Sequence, residues 1–222
     1  MSHLTVIAAL SVGLSLSTLA TAQSAGTWTV RAGLTSIKPD VSSGNLSSPS
    51  LQHTTIGVGS DTQASLGVNY TLTDHWAIDV PVAPPFKHKL YGDGAIAGVG
   101  QIGSVRALPA SVFLQYRFEE SNSTWRPYVG LGVSYAMFSD PRGSAALTGI
   151  TNPGGAATSL KVDNAWGITP QLGFVYKVND RYFIDASYSK AMLKTKATLS
   201  TGQSIDVKLD PAVLSIGIGM TF

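Results

Sequence analysis

From Leu214 to Phe222 the chain alternates strictly, with Leu214, Ile216, Ile218, Met220 and Phe222 on one side and Ser215, Gly217, Gly219 and Thr221 on the other. A period of two marks a β-strand, whose successive side chains point to opposite faces. One face is bulky and apolar; the other carries only glycine and hydroxyl residues and has little with which to fill a core. Two architectures accommodate such a strand. In a barrel embedded in lipid the bulky row points outward, and in a soluble sandwich it points into the core. This stretch by itself leaves both open.

Composition separates them. Charged residues are 13% of the chain, against roughly 25% in soluble proteins. After residue 22 no apolar run approaches the ~20 residues of a membrane-spanning helix. Low charge without such runs points to strands as the elements that cross the bilayer. Cysteine is absent, which excludes disulfides and thiolate metal sites and leaves the fold to its hydrogen-bond ladder. A net charge of +2, with no basic stripe interleaved with aromatics, gives no ground for nucleic-acid binding. Leu4 to Leu16 is almost wholly apolar or small, and Ala20-Thr21-Ala22 has the small-x-small form that precedes signal cleavage. Residues 1–22 are therefore read as a signal peptide cleaved before Gln23, although Met1-Ser2-His3 lacks the usual basic residue. With no linker between two periodic regions, residues 23–222 are read as one domain.

The same alternation recurs in seven earlier segments, near Trp28–Ile37, Thr54–Tyr70, Trp76–Val82, Ser104–Phe118, Arg126–Phe138, Ser159–Val178 and Arg181–Met192. The expected fold is all-β, an eight-stranded antiparallel transmembrane barrel. Connections alternate in length: residues 71–75, 119–125 and 179–180 are short, whereas those near 38–53, 85–103, 139–158 and 193–204 are long and rich in Gly, Ser, Thr and Asn. Short periplasmic turns and long outer loops are the habit of bacterial outer-membrane barrels. Trp28, Tyr70, Trp76, Tyr116, Trp125, Tyr176 and Tyr182 gather near the short-turn ends, as an interfacial girdle would.

A barrel of eight strands is filled by its own side chains or holds one small ligand, so a wide aqueous pore is not expected. By parity Arg31, Asp79, Arg117, Lys177 and Asp185 point into the lumen near the short-turn end. Such a cluster reads either as an ion-selective constriction or as internal salt bridging that fills the barrel. Farther out, Ala107, Pro109 and Phe113 are inward and apolar. Pro81, Pro84 and Pro85 cannot donate to a ladder, and a bulge or an opened strand pair, hence a lateral opening, is expected beside them.

Taken in order, Trp28-Thr29-Val30-Arg31-Ala32-Gly33, Pro84-Pro85-Phe86-Lys87-His88-Lys89, Leu108-Pro109, Arg126-Pro127-Tyr128-Val129-Gly130-Leu131-Gly132, Asp163-Asn164-Ala165-Trp166-Gly167 and Leu209-Asp210-Pro211 resemble the OmpW family of outer-membrane proteins. The resemblance spans the mature chain. It implies a narrow, largely hydrophobic channel in the outer membrane of a Gram-negative bacterium, passing small apolar molecules sideways into the bilayer. Trp166 matches a tryptophan that lines this channel in the family, although its parity with Leu172 and Phe174 would turn it to lipid; both placements stay open. Pro81 stands where the family has an aliphatic residue. The partners implied are outer-membrane lipids and lipopolysaccharide, small hydrophobic solutes and the outer-membrane assembly machinery, which a terminal aromatic such as Phe222 would signal. No cofactor is expected.

Two other classes of function suit a small barrel. An acyl-transferring or hydrolytic barrel needs a nucleophile with a base in reach, and His53, His75 and His88 stand near no obvious serine elbow. A metal at Lys87-His88-Lys89 is disfavoured by the flanking ammonium groups. A structural or surface-interaction barrel, with no transport role, remains the alternative to a channel.

Overall fold

The computed structural model describes residues 25–222, so the expected signal peptide lies outside the described residues. In chain order the elements are β1 (Trp28–Lys38), β2 (Ser42–Ser43), β3 (Thr54–Val58), β4 (Asp61–Thr71), β5 (Trp76–Val82), β6 (Phe86–Gly94), β7 (Gln101–Arg117), β8 (Trp125–Gly143), α1 (Ala145–Thr151), β9 (Leu160–Val162), β10 (Ala165–Lys177), β11 (Tyr182–Lys190), β12 (Lys194–Leu199), β13 (Ser204–Lys208) and β14 (Ala212–Thr221).

Eight of them close a ring in the order β7-β5-β4-β1-β14-β11-β10-β8, with β8 pairing back onto β7. Every pairing in the ring is antiparallel. The seam joins the first and last strands of the described residues: β1 and β14 run in register from Thr29↔Thr221 to Lys38↔Ala212. Closure pairs each of these eight strands on both sides, apart from one interval between β5 and β7, and so satisfies nearly all of the backbone that a sheet in hydrocarbon must satisfy.

The alternation sorts the side chains as the sequence requires. Leu34, Leu66, Val112, Leu131, Val133, Leu172, Leu214, Ile216 and Ile218 stand exposed on the outer wall, while Thr35, Asn69, Gln115, Thr169 and Gln171 are buried within. Three groups of contacting aromatics mark the short-turn end: Trp28 packs against Tyr70, Trp76 and Phe118 against Tyr116, and Tyr176 and Phe174 against Trp125.

The long connections are more ordered than their composition suggests. β2, β13, β12 and β9 form a second, four-stranded sheet above the barrel, and β6 extends the wall there with β3 on its outer edge. α1 is capped by Ser144, whose hydroxyl accepts from the Leu147 amide. Two expected strands are each divided. Thr54–Tyr70 breaks at Gly59-Ser60 into β3, which pairs with β6, and β4, which pairs with β1 and β5. Ser159–Val178 breaks at Asp163-Asn164, where the Asn164 carboxamide accepts from the Phe138 amide and replaces a ladder bond.

Beside the proline run the wall changes partners. β5 pairs with β7 only from Trp76↔Tyr116 to Asp79↔Phe113, and β6 takes up β7 only from Phe86↔Ala107 onward. Between these intervals Val80, Pro81 and Val82 pair with β4 alone, and Leu108–Val112 pair with β8 alone.

Candidate functional site

The lumen is layered. Nearest the short turns is a polar floor centred on Arg31, whose guanidinium donates to both oxygens of Asp79 at 2.5 and 2.8 Å and lies 3.7 Å from Asp185. Asp79 and Asp185 are both buried. Two fixed carboxylates around one planar cation form the kind of closed arrangement that makes buried charge tolerable. The Tyr128 hydroxyl donates to Asp185 at 3.1 Å. Arg117 donates to the Asn69 carbonyl oxygen at 3.0 Å, Asn69 to Gln115 at 3.1 Å and Gln115 to Gln171 at 2.9 Å, so an amide chain crosses the barrel. Arg31 reaches across β4 because position 67 is glycine: a Cβ there would stand 2.7 Å from the guanidinium carbon.

Above the floor lies a layer of hydroxyls. Thr35 bonds Ser65 and Ser215, each at 2.8 Å, and Ser134 bonds Ser111 at 2.8 Å and Thr169 at 2.6 Å. A cavity of about 90 Å³ opens here, bounded by Pro81, Val82, Ala83, Phe86, Pro109 and Phe113 among others. It therefore abuts the interval where β5 and β7 share no ladder. Farther out, a cavity of about 120 Å³ is enclosed between the wall and the four-stranded sheet by Leu90, Ile102, Val105, Ala107, Leu199 and Val207 with other apolar neighbours. The two cavities share Ile37, Pro109, Ala136, Leu193 and Pro211, which form the neck between them. An apolar cavity of ~150 Å³ stays dry and accepts a benzene-sized molecule, so the chambers are on the scale of small hydrocarbons.

Arg31, Asp79, Arg117 and Asp185 share the floor, and Ala107 and Phe113 line the upper and lower chambers. Lys177 does not join the floor: it pairs with Asp180 of the short turn at 2.9 Å, because it is the last residue of β10 and its side chain folds over the rim. Trp166 corrects the channel-lining expectation, since it is 72% exposed on the outer wall opposite Tyr135. The alternation of β10 runs unbroken from Trp166 to Phe174, and no bulge turns the indole inward. Pro81 lines the lower chamber, whereas Pro84 and Pro85 are exposed in the connection to β6. Phe222 donates its amide to the Trp28 carbonyl at 2.9 Å and exposes its ring beside the girdle.

Tyr128 and Arg126 also belong to the floor, beyond the charged residues that the sequence marks. Arg126 donates to the Asp74 carbonyl at 2.6 Å and to the Glu119 carbonyl at 3.3 Å, tying two short turns under the floor. Parity was the available signal for both: each has the inward phase of Gly130 and Gly132. The histidines are dispersed, with His75 on a short turn bonded to the Arg117 carbonyl and His88 buried against the Gly59 carbonyl.

Comparison with known proteins agrees with this architecture. The chain is 39% identical to outer membrane protein W of Vibrio cholerae over 201 residues, covering 89% of each sequence. The crystal structure of OprG from Pseudomonas aeruginosa superposes with a TM-score of 0.80 at 29% identity, covering 90% of this chain and 98% of that one. The solution structure of Escherichia coli outer membrane protein W gives a TM-score of 0.56 at 27% identity, covering 90% and 99% respectively. The pattern that defines the OmpW family matches residues 24–222, and the chain belongs to that family of outer-membrane barrels.

Proposed function

We propose that the barrel takes up small apolar molecules from outside and releases them sideways into the membrane between β5 and β7. The observation that carries this reading is the order of the layers. An apolar chamber leads through a neck to a second chamber that ends on a polar floor and abuts the interval without a ladder. A hydrocarbon reaching the lower chamber would have to part the Arg31–Asp79 pair, leaving buried charge against an apolar solute, to continue along the axis. Leaving through the wall avoids that pair and completes a transfer from outside water to lipid that is favourable by ~0.8 kcal/mol per methylene. The floor admits neither ions nor sugars, because its donors and acceptors are engaged with one another.

Uptake measured in cells and in reconstituted vesicles tests the route. Ala107→Asp or Phe113→Asp should slow entry of small hydrophobic compounds several-fold while the barrel remains heat-modifiable on gels. Ala83→Trp, which fills the chamber beside the gap, should do the same without adding charge. Sugar flux as large as hydrophobic flux would establish an aqueous pore. Equal uptake with and without the protein would leave a structural barrel.

A further inference from the structure

A second feature lies on the outer wall, just above the lipid belt of β6, β7 and β8. The outward residues of these strands form a small lattice: Lys87, Arg106 and Ser139 stand side by side in one row, and Lys89, Ser104 and Arg142 in the next. At ~4.8 Å between strands and ~6.8 Å between alternate residues, the cations span roughly 10 by 7 Å. Lys87, Lys89, Arg106 and Arg142 are all exposed. Lys87 and Arg106 are direct cross-strand partners, and like charges so placed cost stability unless a counter-charge meets them.

The protein supplies little of that counter-charge. Asp140 accepts from the Arg142 Nε at 2.8 Å and lies 3.5 Å from the Arg106 Nε. It sits at φ 49° beside the irregularity in the β7–β8 register, so local backbone geometry puts this one carboxylate between the two guanidinium groups. Each guanidinium keeps its other N–H groups for something outside. The lysines of the four-stranded sheet are different: Lys161 is 3.4 Å from Asp163, Lys208 is 2.9 Å from Asp210, and Lys196 stands opposite Asp206. That face nearly balances its own charge.

Height decides what can meet the unbalanced face. From the girdle residue Tyr116, ten residues of β7 lead to Arg106 through the outward Leu114, Val112, Ala110 and Leu108. Ten residues at ~3.3 Å each, tilted by ~40°, rise ~25 Å, the height of the apolar band of such barrels. The next outward residue is Arg106, level with the headgroups of the outer leaflet.

We propose that Lys87, Arg106 and Arg142, with Lys89 at the upper corner, bind the phosphates of a phosphorylated glycolipid of the outer leaflet, of the lipopolysaccharide class. Guanidinium forks take phosphate oxygens bidentately, and the lysines add point charge. The acyl chains lie below on the apolar outer wall around Leu108, Val112 and Val133. This site depends on the outer-membrane location and is independent of the route proposed for solutes.

The test uses the purified full barrel in detergent, titrated with bisphosphorylated lipid A and with the same lipid A after enzymatic dephosphorylation. Retained glycolipid per barrel is read after size exclusion. Bisphosphorylated lipid should bind at least about tenfold more tightly, since a charged hydrogen-bond contact is worth about that factor, and its affinity should fall as salt rises. The triple variant Lys87→Gln, Arg106→Gln, Arg142→Gln should reduce it to the dephosphorylated level. Lys161→Gln, Lys194→Gln, Lys196→Gln on the other sheet should leave it within twofold. Heat-modifiability verifies folding, and Arg142→Gln alone, at an exposed position, should show a partial loss even if the triple variant misfolds. Equal binding of the two lipids, equal loss in both triple variants, or displacement of lipid by millimolar inorganic phosphate would overturn the site.

Discussion

Arg31 holds two carboxylates from different strands, and its removal would leave both buried without their cation. Arg31→Ala should lower stability by about 3 kcal/mol, the cost of breaking a buried pair from one side. Arg31→Lys should recover only part of it, because an ammonium cannot engage both Asp79 oxygens in parallel. Urea midpoints of the folded barrel measure this, and unchanged midpoints for both variants would show that water reaches the floor. These charges were legible because a charged residue at inward phase in a lipid-facing strand has nowhere else to go. Tyr128 has the same inward phase, but an aromatic in such a strand ordinarily indicates lipid; its hydroxyl bond to Asp185 and the packing of its ring against Val175 and Phe183, over Gly173, explain its inward place. With Trp166 the residues allowed two placements, and the unbroken alternation of β10 decided for the outside.

The spanning strands were readable because one face of each meets hydrocarbon throughout. Above the membrane that constraint ends. β12 and β13 put Ala197, Leu199, Ile205 and Val207 inward against the apolar chamber, but their outer face meets water and they are short, so Lys, Thr and Ser dominate and the segments read as loop. β6 carries a pH-dependent element in the same region. Burial pushes the His88 imidazole below its ordinary pKa, against the smaller opposing effects of the Gly59 carbonyl and Asp61. The unfolded segment then binds the proton more readily than the folded one. The β3–β6 region should therefore keep full stability above pH ~6.5 and lose it progressively as pH falls below that value. Limited proteolysis of the outer connections at pH 7.5 and pH 5 tests this, with His88→Leu expected to abolish the difference. Equal resistance of the unaltered protein at both pH values would refute the assignment.

For the molecule as a whole, the barrel is complete only when β14 meets β1. A chain lacking that pairing would present two open strand edges to lipid, each with unpaired backbone groups. Phe222 ends this strand with its ring beside the girdle and its amide on Trp28. Deleting it should reduce the yield of heat-modifiable barrel in cells, through loss of the terminal aromatic that the assembly machinery would engage. Normal yield would show that recognition lies elsewhere in the strand. The seam carries one more consequence. Because Trp28 and Phe222 are hydrogen-bonded neighbours at the same end as the short turns, residues 26–222 trace a ring of strands with one short turn omitted. The position of that omission is arbitrary as far as the wall is concerned: a short link from Phe222 to Gly26, with new ends cut at Asn179-Asp180, would preserve every strand neighbour while moving the start and finish of the chain a quarter of the way round the ring.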